Sequence, residues 1–323
     1  MKECCPEIEP FLMKALYPEI EPFQITMLET DSQHKIYVEQ SGNPDGIPVI
    51  FLHGGPCSGT KPKHRCFFNP ELYHIILFDQ RGCGLSIPFG ELEANTTQDL
   101  IADMERIREH LNIQQWLLFG GSWGSTLALL YAQQYAENVT AMILRGTFLA
   151  RRQDLNWFTK TGAPALYPEQ YQILLASLPA RNIDALYDTL WGNDDETVKS
   201  VTKAWMQWGA QVALGSLYDA SIEMGEITAD MIKQVKMELN YARHHYFIEE
   251  NQVLKNCASL QTIPTTIIHG KLDFVCPIES GFAIAKALPQ ADYIQLETAG
   301  HIAQGDEMID ALVSATDNMA QRL

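Results

Sequence analysis

The 323-residue chain is 46% apolar and 20% charged, an ordinary composition for a globular protein of one large or two modest domains. Its 40 acidic and 23 basic residues give a net charge of −17. This balance excludes a nucleic-acid-binding protein, because affinity for phosphate comes mainly from cationic side chains, and it disfavours adhesion to an anionic membrane.

The N-terminus contains a tandem repeat. The string Pro-Glu-Ile-Glu-Pro-Phe begins at Pro6 and again at Pro18. Two copies are too few for a solenoid, so we interpret residues 1–12 as a duplicated extension that is not essential for stability or activity. No signal-peptide pattern is present, and the seven cysteines are irregularly spaced. We therefore expect a cytoplasmic protein without a disulfide framework.

Apolar, β-branched runs then alternate with helical patterns. Strands are predicted at 35–39, 48–52, 73–78, 116–119, 139–144, 265–268 and 293–296, and helices at 97–111, 126–135, 280–287 and 307–319. This alternation predicts an α/β fold, a mostly parallel sheet covered by helices on both faces. The strand signal disappears between 150 and 256, which predicts a helical cap inserted into a core formed by 13–149 and 257–323. The uncharged stretch 112–136 is broken by glycines and serines, so no membrane span is expected.

One motif carries a specific chemistry. The string Gly120-Gly121-Ser122-Trp123-Gly124 fits G-x-S-x-G, and it lies between a predicted strand and a predicted helix. The sharp turn in this context exposes a serine hydroxyl as a nucleophile, which needs a base that is itself oriented by a carboxylate. Asp273 and His301 each follow a late strand in the chain order that the motif requires. We predict Ser122, Asp273 and His301 as a catalytic triad.

Backbone N–H groups near this serine predict an oxyanion hole. The Trp123 N–H follows the nucleophile, and the second donor comes from the loop after an early strand, with Gly55 favoured over Gly54. A phosphate-binding loop is the alternative, but no glycine-rich nucleotide motif occurs at these strand ends. We therefore expect no cofactor, and since no metal-ligand spacing is found, no metal.

These residues resemble the proline iminopeptidases (prolyl aminopeptidases), a family of α/β-hydrolases with a helical cap. The resemblance extends from about residue 16 to the C-terminus and rests on the strings at 53–56, 79–86, 120–125, 144–149, 273–277 and 299–301. It implies the same triad, the α/β-hydrolase fold, and release of an N-terminal proline from a small peptide without a metal. The sequence does not indicate an oligomeric state.

The cap departs from the family pattern where the family recognises the substrate's free amine with glutamates. The family string W-x-x-W-E ends here in Gly209, and in A-R-I-E-N-H-Y-F the acid is either replaced by Arg243 or deleted. Five acids elsewhere in the cap, Glu223, Glu226, Glu238, Glu249 and Glu250, could compensate, although a solvated surface carboxylate is the simpler interpretation of each. The candidate substrate contacts are Trp205, Trp208, Tyr246, Phe247, Glu249 and Glu250.

Three functions follow, in order of preference. The first is a serine peptidase that releases N-terminal proline. The second keeps the triad but hydrolyses an ester or a blocked amide, because burying an ammonium group without a carboxylate partner costs several kcal/mol. The third, a binding protein on an inactive hydrolase scaffold, is disfavoured because the predicted triad is complete.

Overall fold

The computed structural model describes residues 13–323, so the expectation for residues 1–12 lies outside the described residues. Its centre is an eight-stranded sheet in the order β1-β2-β4-β3-β5-β6-β7-β8. The strands are β1 (Gln24–Glu29), β2 (Lys35–Gly42), β3 (Ile47–Leu52), β4 (Tyr73–Phe78), β5 (Trp116–Gly121), β6 (Val139–Arg145), β7 (Thr265–Gly270) and β8 (Asp292–Leu296). β1 and β2 are antiparallel to their neighbours, and all the other pairings are parallel.

Helices surround the sheet and fill the stretch between β6 and β7. They are α1 (Thr97–His110), α2 (Trp123–Gln134), α3 (Arg152–Thr159), α4 (Gly162–Leu166), α5 (Pro168–Ala176), α6 (Leu186–Leu190), α7 (Asp195–Leu214), α8 (Ala229–Arg243), α9 (Gln252–Lys255), α10 (Ile278–Ala287) and α11 (Asp306–Arg322). The predicted α/β fold is confirmed. No helix of residues 13–323 combines the length and apolarity needed to cross a bilayer.

The sheet is buried on both faces, which explains the continuous apolar runs of its central strands. In β5, Leu118 packs in the cluster that contains Trp123 and Leu127 of α2. The alternate residue Phe119 packs in the opposite cluster, with Leu312 of α11. The edge strand β1, by contrast, is largely exposed, including its apolar residues Ile25 and Met27, and it was not predicted from the sequence.

The segment 150–256, which we call the cap, has an apolar cluster of its own. Trp205 and Trp208 of α7 pack there with Leu174 of α5 and Leu239 of α8. Trp208 is fully buried and Trp205 is 4% exposed. Helices α5, α7 and α8 thus share one small core, and it includes two of the tryptophans noted in the sequence.

A buried ion pair fastens the loop after β4 to α1, and we expect it to be important for stability. Arg81 donates to both carboxylate oxygens of Asp103 at 2.6 and 2.9 Å, and both side chains are buried. Arg81→Met leaves this carboxylate without its bidentate partner, so the free energy of unfolding is expected to fall by about 3 kcal/mol in urea denaturation.

The control for this prediction is Arg106→Met, which removes the more exposed partner of Asp103, 2.9 Å away. That change is expected to cost about 1 kcal/mol or less. The double variant Arg81→Met/Asp103→Leu should recover much of the loss. Equal effects of the two arginine substitutions would contradict the role given to Arg81.

Candidate active site

Ser122 occupies a strained turn between β5 and α2. Its φ of 56° and ψ of −125° lie in a region that favours glycine. The flanking residues must be small: a Cβ on Gly120 would lie 2.3 Å from the Gly124 carbonyl oxygen, and one on Gly124 would lie 2.0 Å from that of Leu52. The close approach of the helix to the sheet therefore requires these glycines and sets the position of the serine.

Asp273 and His301 are joined by hydrogen bonds beyond the ends of β7 and β8. His301 Nδ1 lies 3.0 and 2.9 Å from the two carboxylate oxygens of Asp273. Because the carboxylate accepts, Nδ1 carries a proton and Nε2 of a neutral ring is left as an acceptor. The N–H groups of Val275 and Cys276 also donate to Asp273, at 3.1 and 2.8 Å.

The surroundings keep Asp273 ionised. Burial acts to raise the pKa of this carboxyl, but His301, His269 and the Cys276 N–H outweigh it and hold the pKa below its ordinary value. His269 Nε2 lies 2.7 Å from the Cys276 carbonyl oxygen. This contact fastens the turn that carries Asp273.

Ser122 lies next to this pair without being hydrogen-bonded to it. Its Oγ is 4.0 Å from Cys276 Sγ, and within residues 13–323 it makes no hydrogen bond to His301. A nucleophile and its base often come within hydrogen-bond reach only when substrate binds. The arrangement thus joins Asp273 to His301 directly and links Ser122 to the Asp273 loop through Cys276.

The end of β6 joins the two parts of the site through residues that the sequence analysis quoted but gave no role. The Ser122 N–H donates to the Arg145 carbonyl at 2.9 Å, and the Arg145 guanidinium donates to the His301 carbonyl. Burial lowers the pKa of Arg145. Gly146 follows with a φ of 51°, and a Cβ there would lie 2.9 Å from Asp273 Oδ2. The signal in the sequence that could have identified Arg145 and Gly146 is that they directly follow the strand predicted at 139–144.

The loop after β3 passes beside the nucleophile. A Cβ on Gly54 would lie 3.9 Å from Ser122 Oγ. Within the described part of the chain, the N–H groups of Gly54, Gly55 and Trp123 make no hydrogen bond. Donors left free beside a serine hydroxyl are those that a developing oxyanion needs.

Gln80 connects the loop after β3 to Trp123, the two segments that carry these N–H donors. Its side-chain NH₂ donates to the His53 carbonyl at 2.9 Å, and its side-chain oxygen accepts from the Trp123 indole at 2.9 Å. Burial lowers the pKa of His53, and a neutral ring can accept at Nε2 from the Gln80 N–H, 3.0 Å away. In the sequence Gln80 was noted only as part of the string at 79–86, so its role in positioning the His53 loop and Trp123 was not predicted.

A cavity of about 290 Å³ opens between Ser122 and the cap. Of the candidate substrate contacts, Trp205 and Tyr246 line it, whereas Trp208, Phe247, Glu249 and Glu250 do not. The last two are exposed, and Glu250 contacts Arg152 instead.

Of the five acids suggested as compensation, Glu238 alone lines the cavity among the described residues. Glu223 and Glu226 are exposed and outside the cavity, whereas Glu238 lines it. Burial raises the pKa of Glu238 to about 7, an effect that the Trp205 side chain partly opposes. The sequence analysis treated Glu238 as a solvated carboxylate, so its place inside the cavity is a new finding.

Of the two family departures, Arg243 lines this cavity and Gly209 does not. A Cβ on Gly209 would have nothing within 4 Å among the described residues, so the space for a side chain is open. Arg243 lines the cavity, but it is exposed, and its guanidinium lies over the Tyr187 ring at 5.9 Å from the centroid.

Comparisons with known proteins identify the family to which this chain is related. The family model described as the alpha/beta hydrolase fold matches residues 47–307. A probable proline iminopeptidase of Leptolyngbya boryana is 41% identical over 94% of this chain and 97% of its own length. The proline iminopeptidase of Neisseria meningitidis is 41% identical over 92% of this chain and 96% of its own. The chain belongs to the proline iminopeptidase family of α/β-hydrolases. The resemblance noted in the sequence is confirmed, and the protein is a hydrolase of this family.

Solved structures support the fold of this proline iminopeptidase family member. A structure from work on carboxylesterases of the thaumarchaeon Nitrososphaera gargenis has a TM-score of 0.62 at 18% identity, covering 93% of this chain and all of the other. The proline iminopeptidase-related protein of Thermus thermophilus has a TM-score of 0.56 at 17% identity, covering 92% of this chain and 96% of its own. At these identities the likeness concerns the fold alone.

Gly146→Ala is expected to disturb the Asp273–His301 pair. The added Cβ must displace the carboxylate from its 2.9 Å approach, and the positive φ adds about 1–3 kcal/mol of strain. We expect kcat for a chromogenic aryl ester to fall by on the order of 100-fold. In the control Gly300→Ala, the new Cβ would have its nearest neighbour at 3.5 Å, and kcat should change little. Equal kcat values for the two variants would contradict the geometry.

Proposed function

We propose that the protein is a serine peptidase that releases the N-terminal proline of small peptides. The observation that carries the proposal is the hydrogen-bonded Asp273–His301 pair, together with the strained Ser122, which lines a cavity under the cap. The names of the relatives, at about 40% identity over nearly the whole chain, support proline as the released residue.

The proposed reaction proceeds through an acyl-enzyme. Ser122 Oγ attacks the carbonyl carbon of the first residue while His301 Nε2 takes the hydroxyl proton, and Asp273 stabilises the imidazolium. The N–H groups of Trp123 and Gly55, with Gly54 as the alternative donor, bind the resulting oxyanion. His301 then gives its proton to the leaving amine. A water molecule, deprotonated by His301, cleaves the prolyl ester and restores Ser122.

The division of the chain belongs to the same proposal. We assign residues 13–149 and 257–323 to the catalytic core and residues 150–256 to a cap that limits the length of substrate beyond Ser122. The apolar cluster of the cap supports this division. Five cysteines of the described chain are free thiols, which supports a reducing, cytoplasmic location.

Release of free proline tests the substrate. The peptide Pro-Ala-Ala should yield free proline, measured by amino-acid analysis, whereas Ala-Pro-Ala should yield none. The alternative, an esterase or amidase with a changed substrate, is favoured by one observation: Gly209 leaves open space where the family has a glutamate. Hydrolysis of aryl esters without release of proline from Pro-Ala-Ala would establish that alternative and overturn the proposal.

A further inference from the structure

Two carboxylates line the cavity above Ser122, and they differ in their electrostatic partners. Asp154 is buried and receives a hydrogen bond from Arg151 at 2.7 Å, and Arg151 also contacts Glu279 at 2.6 Å. Its charge is therefore matched by an arginine of the protein. Glu238, on α8, has no lysine, arginine or histidine nitrogen within 4.0 Å in residues 13–323.

The lysine and the arginine that line the cavity have contacts with other groups. Lys160 forms an ion pair with the exposed Asp184 at 2.7 Å. Arg243 lies over the Tyr187 ring and is exposed. Glu238 is half-buried and faces the cavity without a cationic partner, so a ligand that carries a positive charge would be stabilised there.

We propose that Glu238 is the carboxylate that binds the ammonium group of the substrate's N-terminal residue, in place of the acids missing at 209 and 243. This assignment rests on the proposed function. The N-terminal prolyl group enters the cavity with its carbonyl at Ser122, and its charged nitrogen meets Glu238 on the cap side. The Trp205 side chain lines the same cavity.

The positions of these residues also explain how the cap can bind an ammonium group without the two family glutamates. Gly209 follows α7 residues Trp205 and Trp208, and Arg243 is the last residue of α8. Glu238 lies on the same helix as Arg243, one turn and a half nearer its N-terminus. A carboxylate can thus be supplied to the cavity from the middle of α8 while Arg243 is directed to the surface.

The test compares two substrates that differ in one atom. Proline p-nitroanilide carries the ring ammonium, and cyclopentanecarbonyl p-nitroanilide has a methylene in its place. The wild-type protein should prefer the first strongly in kcat/KM. Glu238→Gln should lower that preference by on the order of 100-fold, because the charge-assisted hydrogen bond is lost. Glu238→Asp, which keeps the charge on a shorter side chain, should retain part of it.

The matched control is Glu196→Gln, at an exposed carboxylate of α7 that pairs with Lys199. It should leave the preference unchanged. Because both substrates are measured on one preparation, their ratio does not depend on how much of a variant folds. A strong wild-type preference that survives in Glu238→Gln overturns the assignment of Glu238 alone. A wild-type protein indifferent to the ring nitrogen overturns the proposed function and this proposal with it.

Discussion

Ser122→Ala is expected to reduce kcat for a proline arylamide by on the order of 10⁶-fold, to the level of contaminating activity. The alanine keeps the Cβ and therefore the φ of 56°, so folding and thermal stability should be close to wild type. A fluorophosphonate probe should label the wild-type protein at Ser122 and leave the variant unlabelled. This labelling also separates a hydrolase from a binding protein on an inactive scaffold.

Ser122→Gly provides a second, independent readout of the same turn. It should be as inactive as the alanine variant, yet more stable by about 1 kcal/mol, because glycine adopts the observed φ and ψ without strain. Retained turnover in a clean preparation of either variant would contradict the assignment of the nucleophile. A loss of stability in Ser122→Gly would contradict the strain assigned to this position.

Asp273→Asn is expected to lower kcat by about 10⁴-fold with little change in stability. The asparagine oxygen can still accept from the Val275 and Cys276 N–H groups, so the loop after β7 is preserved. The asparagine NH₂ group cannot accept a hydrogen bond from His301 Nδ1–H as a carboxylate oxygen does. The Nδ1-protonated tautomer of His301 is then no longer favoured, and the imidazolium is no longer stabilised. Measured kcat values and melting temperatures test this directly.

The control for this change is Asp292→Asn, at an exposed carboxylate that pairs with Arg322 at 2.8 Å. It removes the same charge outside the site and should leave kcat within about 2-fold of wild type, as expected for an exposed pair. If Asp273→Asn lost no more activity than this control, His301 could not depend on Asp273, and the triad would need another acid.

The sheet was predictable from the sequence because its central strands are buried on both faces and read as continuous apolar runs. Ser122 was predictable because its motif and its strand–helix context are both local. The strand β1 was missed because it is a largely exposed edge strand whose apolar residues, Ile25, Met27 and Leu28, do not form a continuous run. The features that could be predicted are therefore the buried strands and the residues that lie in a local motif.

The residues that hold the site together were harder to predict. Gln80 and Arg145 act through contacts with residues distant in the chain, His53 and His301 respectively, which no local pattern encodes. Glu238 lies on α8, a helix buried on more than one side. Helical periodicity alone therefore could not tell a carboxylate facing the cavity from one facing solvent.

The position of Glu238 changes the expectation drawn from the cap. From the sequence, the two missing glutamates suggested that recognition of a free amine was lost. In the structure, an unpaired carboxylate lies in the cavity that contains Ser122, whereas Arg243 is exposed. Under our proposal, Glu238 takes over the recognition of the ammonium group from the two missing glutamates.

The most direct test of the central claim is the ratio of kcat/KM for a proline arylamide to that for its N-acetylated form. The peptidase account predicts a preference for the free amine of on the order of 100-fold or more, because acetylation removes the charge that the cavity carboxylate requires. Equal values for the two substrates would contradict the account and identify the protein as a hydrolase of esters or blocked amides.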